Sequence, residues 1–217
     1  MTRKPHTIPR KQAVQNRSRM TVDALVEATA RILVKEGFDK ASTNRIAQEA
    51  GVSIGSLYQY FPSKEALVAA VIDRHNKQLM VVVRAALREV ASQPIEQAVR
   101  RLVVVAIEAH RIDPKLHRVL TEQIPRTGRL EDVEAFNREA HASFRDYLTH
   151  HKDEISCADV DLAAFICVTT IEALTHTAAL HAPAILPDDM VETLIEEAAR
   201  LVVGYLRPPA AGHVGPA

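Results

Sequence analysis

The chain has 217 residues, 47% of them hydrophobic, which is enough to fill a packed core. No stretch of about 18 uncharged apolar residues occurs, since even Val160 to Leu180 carries Asp161, Glu172 and His176, so no membrane span is expected, and the N-terminus lacks the apolar core of a signal peptide. The formal charge of zero hides an asymmetry: residues 1–64 hold eleven Lys and Arg against five Asp and Glu, while residues 65–217 hold sixteen against twenty-two, so only the N-terminal end suits a polyanion.

Residues 1–19 read as a flexible basic arm, with Arg3, Lys4, Arg10, Lys11, Arg17 and Arg19, no acid and two prolines. From Thr21, Val22, Leu25, Val26, Ile32 and Leu33 recur at helical spacing until Gly37 supplies a C-terminal stop, with Phe38 packing beneath. Ser42 or Thr43 caps a short second helix through Ala50 that buries Ile46, Ala47 and Ala50, and Gly51 ends it in the left-handed conformation. Ser53 caps a third short helix to Tyr60, with Val52 and Leu57 inward and Pro62 barring continuation. Ser63 opens a long fourth helix, Lys64 to Ala91, apolar on more than one side through Leu67, Val71, Ile72, Leu79 and Val83.

Proline divides the remainder. Pro94 precedes a helix from Ile95 to Arg111, Pro114 opens a piece to Gln123, and a Pro125 to Gly128 loop leads into Leu130 to His150. Asp159 or a neighbour starts a helix to His181; Pro183 and Pro187 break it; Asp188 or Asp189 starts the last helix, which ends before Pro208. Cys157 and Cys167, expected on one helix about 15 Å apart, are too distant for a disulfide and read as core fillers of a cytoplasmic protein. No segment alternates like a strand, so the fold class expected is all-α, about nine helices without an internal repeat. The domains expected are the arm at 1–19, a helix-turn-helix domain at 20–66, a helical regulatory and dimerisation domain at 67–207, and a disordered tail at 208–217.

Two short helices joined through Ala50-Gly51-Val52-Ser53 have the geometry that places one helix in the DNA major groove while the other braces it. The second of them is polar and aromatic, and carries glycine where stability alone prefers alanine by about 1 kcal/mol. Small Gly55 and Ser56 allow close approach to base edges or phosphates; Tyr58, Gln59 and Tyr60 offer hydrogen bonds; Lys64 stands at the next helix start as a phosphate ligand. Leu57, Ile46 and Phe61 read as core, and Tyr58, Tyr60, Arg45 and Lys64 each also have a purely structural reading, as packing or as solvated helix charge.

The stretch from Ser42 to Leu67, STNRIAQEAGVSIGSLYQYFPSKEAL, closely resembles the DNA-binding signature of TetR/AcrR-type regulators, over roughly residues 20–70. The resemblance implies Thr43 touching phosphate, Asn44 and Arg45 near base edges, and Ser53, Gly55 and Ser56 entering the groove. It also implies Tyr58, Gln59 and Tyr60 along backbone or bases, and Lys64 clamping phosphate. It further implies a homodimer on a near-palindromic operator in double-stranded DNA, mostly repressing, and released by a small molecule in the larger domain.

In that larger domain, the helix from Asp159 and the last helix are apolar over surfaces too broad for one inward stripe, as expected of a four-helix interface across a two-fold axis. Phe165, Val168, Ile171, Leu174, Leu194, Ala198, Leu201 and Val202 are the residues expected there. Polar candidates for contact with a small hydrophobic ligand are His110, His117, His141, Tyr147, Thr170 and His176, each with a competing reading as surface or satisfied core. Seven histidines lie between His110 and His181, but no pair has the three- or four-residue spacing of a helical chelate, so neither metal nor cofactor is expected. No nucleophile motif, phosphate loop or paired-carboxylate site points to an enzyme. The function expected is a ligand-released transcriptional repressor. Its alternatives are an activator or DNA binder without an inducer and, from a different class, a helical enzyme or interaction module with an incidental basic end.

Overall fold

The computed structural model describes residues 16–122, 130–185 and 190–207, and every regular element among them is helical. In chain order these are α1 (Asn16–Glu36), α2 (Thr43–Glu49), α3 (Ile54–Tyr60), α4 (Lys64–Val90), α5 (Ile95–His110), α6 (Pro114–Glu122), α7 (Leu130–His150), a 3₁₀ turn (Lys152–Glu154), α8 (Val160–Ile185) and α9 (Val191–Leu206).

Local chemistry sets the ends of the N-terminal helices. Gly37 and Gly51 both have positive φ, 81° and 67°, and their N–H groups donate to Leu33 O and Gln48 O, which closes α1 and α2. Ser42 and Ser53 stand in extended backbone, and their side-chain oxygens accept from Arg45 N and Ser56 N, capping α2 and α3. Phe61 ends α3 ahead of Pro62, and Ser63 Oγ accepts from Ala66 N at the start of α4.

The described residues pack as two compact units, one made of 16–78 with 113–122 and 130–134, the other of 79–112 with 135–185 and 190–207. This division by packing differs from a division at residue 66. The first half of α4 supplies Leu67, Val68, Val71 and Ile72 to the same core as Leu25 and Leu33 of α1, Ile46 of α2 and Leu57 of α3. Leu116, Val119 and Leu120 of α6 complete that core from far along the chain. Sequence periodicity shows that α6 has an apolar face, but not which core receives it.

Two contacts tighten the first unit. Lys64 Nζ donates to Phe38 O at 2.9 Å and lies 4.0 Å from the centre of the Phe38 ring, tying the start of α4 to the loop after α1. His75 of α4 and His117 of α6 are both buried, with Nε2 of one 3.1 Å from Nδ1 of the other. Burial holds His75 below the usual histidine range; the Asp113 carboxylate works against that depression and Arg74 adds to it.

In the second unit, Val99 and Val103 of α5, Phe144 and Leu148 of α7, Ala163 and Cys167 of α8, and Ala198, Val202 and Leu206 of α9 share one core. The α4–α5 turn is clasped by polar bonds. Tyr147 Oη donates to Gln93 O, Glu154 accepts from Ile95 N, and His151 bonds both Glu154 and Ala91 O. Burial pushes the Tyr147 phenol up to about 12, so it stays a donor. Val160–Ala179 is long and apolar enough to cross a membrane, but Ala163, Cys167, Ile171, Thr175 and Ala178 are buried every three or four residues, the stripe of a helix lying on a protein core.

Several boundaries differ from expectation. α1 begins at Asn16, so residues 16–19 are helix rather than arm; no proline or glycine stands between Pro9 and Gly37 to stop it, and only the missing apolar stripe suggested a start at Thr21. Residues 1–15 of the expected arm and the expected tail from 208 lie outside the described residues, as do Asp188 and Asp189. α8 runs on through Pro183 to Ile185, because a proline in a last turn forfeits one backbone bond without unwinding the turns before it. Cys157 precedes α8 and donates to Tyr205 O, so the cysteines do not share a helix; both are free thiols, and burial, with a smaller effect of Cys157, pushes Cys167 up to about 12.

Because burial lowers the His75 pKa in the fold, the unfolded chain binds more protons than the folded one as pH falls below the ordinary histidine value of 6.5. The stabilisation is complete above that value and is lost as pH falls beneath it. The thermal midpoint is therefore expected to drop between about pH 7.5 and about pH 5.5, and His75→Leu to flatten that slope; an equal slope in the variant would place the titrating group elsewhere. Lys64→Ala is expected to lower the unfolding free energy by about 1 kcal/mol, and a denaturation curve identical to the wild type would show that the ammonium is no brace.

Candidate nucleic-acid interface

α2 and α3 meet through a tight turn in which Val52 N donates to Ala47 O, and Leu57 and Phe61 anchor α3 in the core below. The opposite face of α3 is open: Ile54, Gly55, Tyr58 and Gln59 are all exposed. Thr43 Oγ1 lies 3.1 Å from Tyr58 Oη, which bonds the start of α2 to the middle of α3. Ser53 Oγ lies 2.8 Å from Ser56 Oγ beside the cap. Asn44 and Arg45 are exposed on α2, and Arg45 pairs with Glu36 at the end of α1. Arg31 of α1 likewise pairs with Glu49 of α2.

Gly55 is the most informative position. It is helical without positive φ, and a Cβ built on it meets only Ser53 Oγ at 3.9 Å. The fold therefore does not require glycine there, and its surface is left without a side chain. Gly51 differs, since its φ of +67° requires it for the turn.

The expected contact residues thus divide. Thr43, Asn44, Arg45, Ser53, Gly55, Ser56, Tyr58 and Gln59 gather on the α2–α3 surface, whereas Tyr60 is half-buried and packs on the core. Lys64 is half-buried with one donor committed to Phe38 O. Two features were missed: Glu36 as the partner of Arg45, for which a nine-residue spacing across a turn leaves no sequence signal, and exposed Ile54. The alternation of Ser53, Ile54 and Gly55 could have flagged Ile54, since the inward position of that turn falls to Leu57.

The six residues expected around a ligand are divided between the two units. His117 belongs to the first unit with His75, and Tyr147 is stacked between Phe144 and His151, with ring centres 5.9 and 4.4 Å away, and committed to Gln93. His110 and His176 meet edge to face at 5.5 Å in the second unit. His141 lies edge-on to Phe165, and Thr170 is half-buried on α8.

Of the expected dimer residues, Phe165, Leu174 and Leu201 are exposed, at 52%, 37% and 57%. Val168 and Leu194 are half-buried, and Ile171, Ala198 and Val202 lie within the protomer's own core. Those three correct the expectation, because an apolar surface on two sides of a helix does not show which side faces inward. Leu162 of the same broad apolar surface, and Tyr205, which was not anticipated, are also exposed.

Comparison with known proteins agrees with this layout. Residues 25–71 match the family described as bacterial regulatory proteins, tetR family, and residues 94–206 match the tetracyclin repressor-like C-terminal domain. The nucleoid occlusion factor SlmA of Haemophilus ducreyi is 32% identical over 111 residues, 51% of this chain and 52% of that protein. The HTH-type transcriptional activator FasR of Mycolicibacterium smegmatis is 44% identical over 64 residues, 30% of this chain and 29% of that one. The chain thus aligns with about half the length of the SlmA relatives. In fold it is similar to the fatty acid degradation regulator FadR of Bacillus halodurans, with a TM-score of 0.66 at 18% identity over 92% of this chain and all of that one. With both halves of the chain matched and the helix pair in place, this protein belongs to the TetR family of DNA-binding transcriptional regulators.

Proposed function

We propose that the protein is a homodimeric repressor that binds a near-palindromic operator through α3 and leaves it when a small hydrophobic molecule enters the second unit. The observation that carries the DNA contact is the open face of α3, with a glycine the fold does not need and a phenol fixed by Thr43. Thr43, Asn44, Arg45, Ser53, Gly55, Ser56, Tyr58 and Gln59 form that surface, with Tyr60 and Lys64 at its edge. Positive charge concentrated in the first 64 residues favours the approach of a polyanion, and a DNA-binding role fits a cytoplasmic protein.

Dimerisation is supported by large apolar side chains left in solvent on α8 and α9: Leu162, Phe165, Leu174, Leu201 and Tyr205. Two copies related by a two-fold axis would present two recognition helices to two half-sites. Ligand release is supported by polar side chains inside an otherwise apolar unit, buried His110 against His176 and buried Thr175, which a ligand's polar group could engage. A second reading, transcriptional activation, is favoured by the match to FasR. Transcription of the neighbouring genes with and without this protein separates the two.

The primary test is salt-sensitive binding to the DNA upstream of its own gene, relieved by a small molecule. Gly55→Leu is expected to lower operator affinity by at least about tenfold while stability stays level or rises by up to about 1 kcal/mol, because the added side chain meets open space in the free protein. Retained affinity would mean that this helix does not enter the groove. Leu201→Glu combined with Phe165→Glu is expected to convert the dimer to folded monomers in sedimentation velocity. A double variant that sediments like the wild type would exclude this face as the contact.

A further inference from the structure

We infer that Ile54 reads thymine in the operator, by packing its side chain on the C5-methyl group in the major groove. The inference rests on the reading of α3 as the recognition helix and adds to it the base that the helix selects.

Ile54 is the first residue of α3 and is 38% exposed, although it is among the most apolar side chains and the core of the first unit is filled by others. Tyr58 is one turn further on, four residues away, and so shares its face. Hydrogen bonding to Thr43 holds the Tyr58 ring in place, 42% exposed. Between them in sequence, Gly55 offers no side chain, and a Cβ there would meet only Ser53 Oγ at 3.9 Å. The result is a small apolar ridge beside a glycine, at the end of a helix that has no other reason to expose either.

The chemistry of the groove narrows what such a ridge can recognise. α3 reads Ile-Gly-Ser-Leu-Tyr-Gln-Tyr and contains no arginine or lysine, so this helix cannot make the bidentate cation contact that most often selects guanine. Among the base edges in the major groove, the thymine C5-methyl is the one apolar group, and an aliphatic side chain gains affinity only by covering it. Opposite a cytosine the same side chain meets an amino group it cannot bond and whose water it displaces. Ile54 therefore discriminates between bases without a hydrogen bond of its own.

The test removes the methyl and nothing else. A duplex selected from random-sequence DNA by the wild-type protein is resynthesised with each thymine replaced in turn by deoxyuridine, and affinities are measured for wild type and Ile54→Ala. Wild-type affinity is expected to fall about fourfold when the contacted thymine of one half-site is replaced, the effect of one apolar carbon returned to water. Ile54→Ala is expected to bind the thymine duplex more weakly by at least as much, and to be indifferent to deoxyuridine at that position. Ile54→Ala should keep a single cooperative thermal transition, since Ile54 lies outside the core cluster of the first unit, and the comparison of thymine with deoxyuridine within each protein is independent of a modest change in midpoint. If the wild type binds the duplex but no replacement matters, or if Ile54→Ala remains as sensitive to deoxyuridine as the wild type, the inference is overturned and the DNA-binding reading stands. If no duplex is selected at all, both fall together.

Discussion

A helix of seven residues cannot hold itself in water, because nucleating its first turn costs more than so few backbone bonds return. α3 exists because Leu57 and Phe61 are driven into the core of the first unit, each stabilising the arrangement by about 2 kcal/mol relative to exposure. That anchoring fixes the rotation of the helix about its own axis, and with it the side chains of Ile54, Tyr58 and Gln59 left outside. The Ser53 cap and the bond from Thr43 to Tyr58 add to the same constraint from either side. An element so small can present a surface only if nearly all its stability is borrowed from what lies beneath it. This is why Leu57 and Phe61 are as necessary to the site as any residue on its face.

The second unit handles apolar surface differently. On α8 the residues turned inward are mostly small, Ala163, Ala164 and Cys167 with Ile171 beyond them, while the large Leu162, Phe165 and Leu174 face outward into solvent. Small inward residues bring α8 close to α5 and α9, with which it shares the core. Large outward residues fit the reading of a partner helix on the other side. The apolar breadth seen in the sequence is thus two stripes with different steric jobs.

What the sequence revealed and what it hid follow from the range over which each signal acts. Caps and stops are local chemistry, so Ser42, Ser53, Gly37 and Gly51 could be read directly from their neighbours, and α2, α3 and the start of α4 fall where they were expected. The gathering of Thr43, Gly55, Tyr58 and Gln59 on one surface follows from those same boundaries. Partners across long separations were hidden: His117 facing His75, Lys64 reaching back to Phe38, and Arg45 paired with Glu36 all depend on how helices are placed after they form. The orientation of Ile171, Ala198 and Val202 was hidden for a related reason, since a helix that is apolar on two sides has no periodicity that distinguishes core from contact.

Those hidden partners bear on how the surface would change hands when DNA arrives. Arg45 is half in solvent but Glu36 is only 14% exposed, so exchanging that carboxylate for a phosphate would leave a largely covered charge without this partner and works against full release of the pair. Until then the pair holds the guanidinium close to the turn and limits the rotamers it must give up on binding. Tyr58 is fixed in the same way by Thr43, through a neutral hydroxyl pair that either oxygen can donate to, leaving the second oxygen able to turn its lone pairs or its proton outward. Free of DNA, the polar half of the surface is therefore already close to one arrangement, and the energy of contact need not go into ordering it. The apolar half, Ile54 beside Gly55, has no such hydrogen-bonded partner among the described residues, and on the proposed reading it would be the part whose affinity depends most directly on which base it meets.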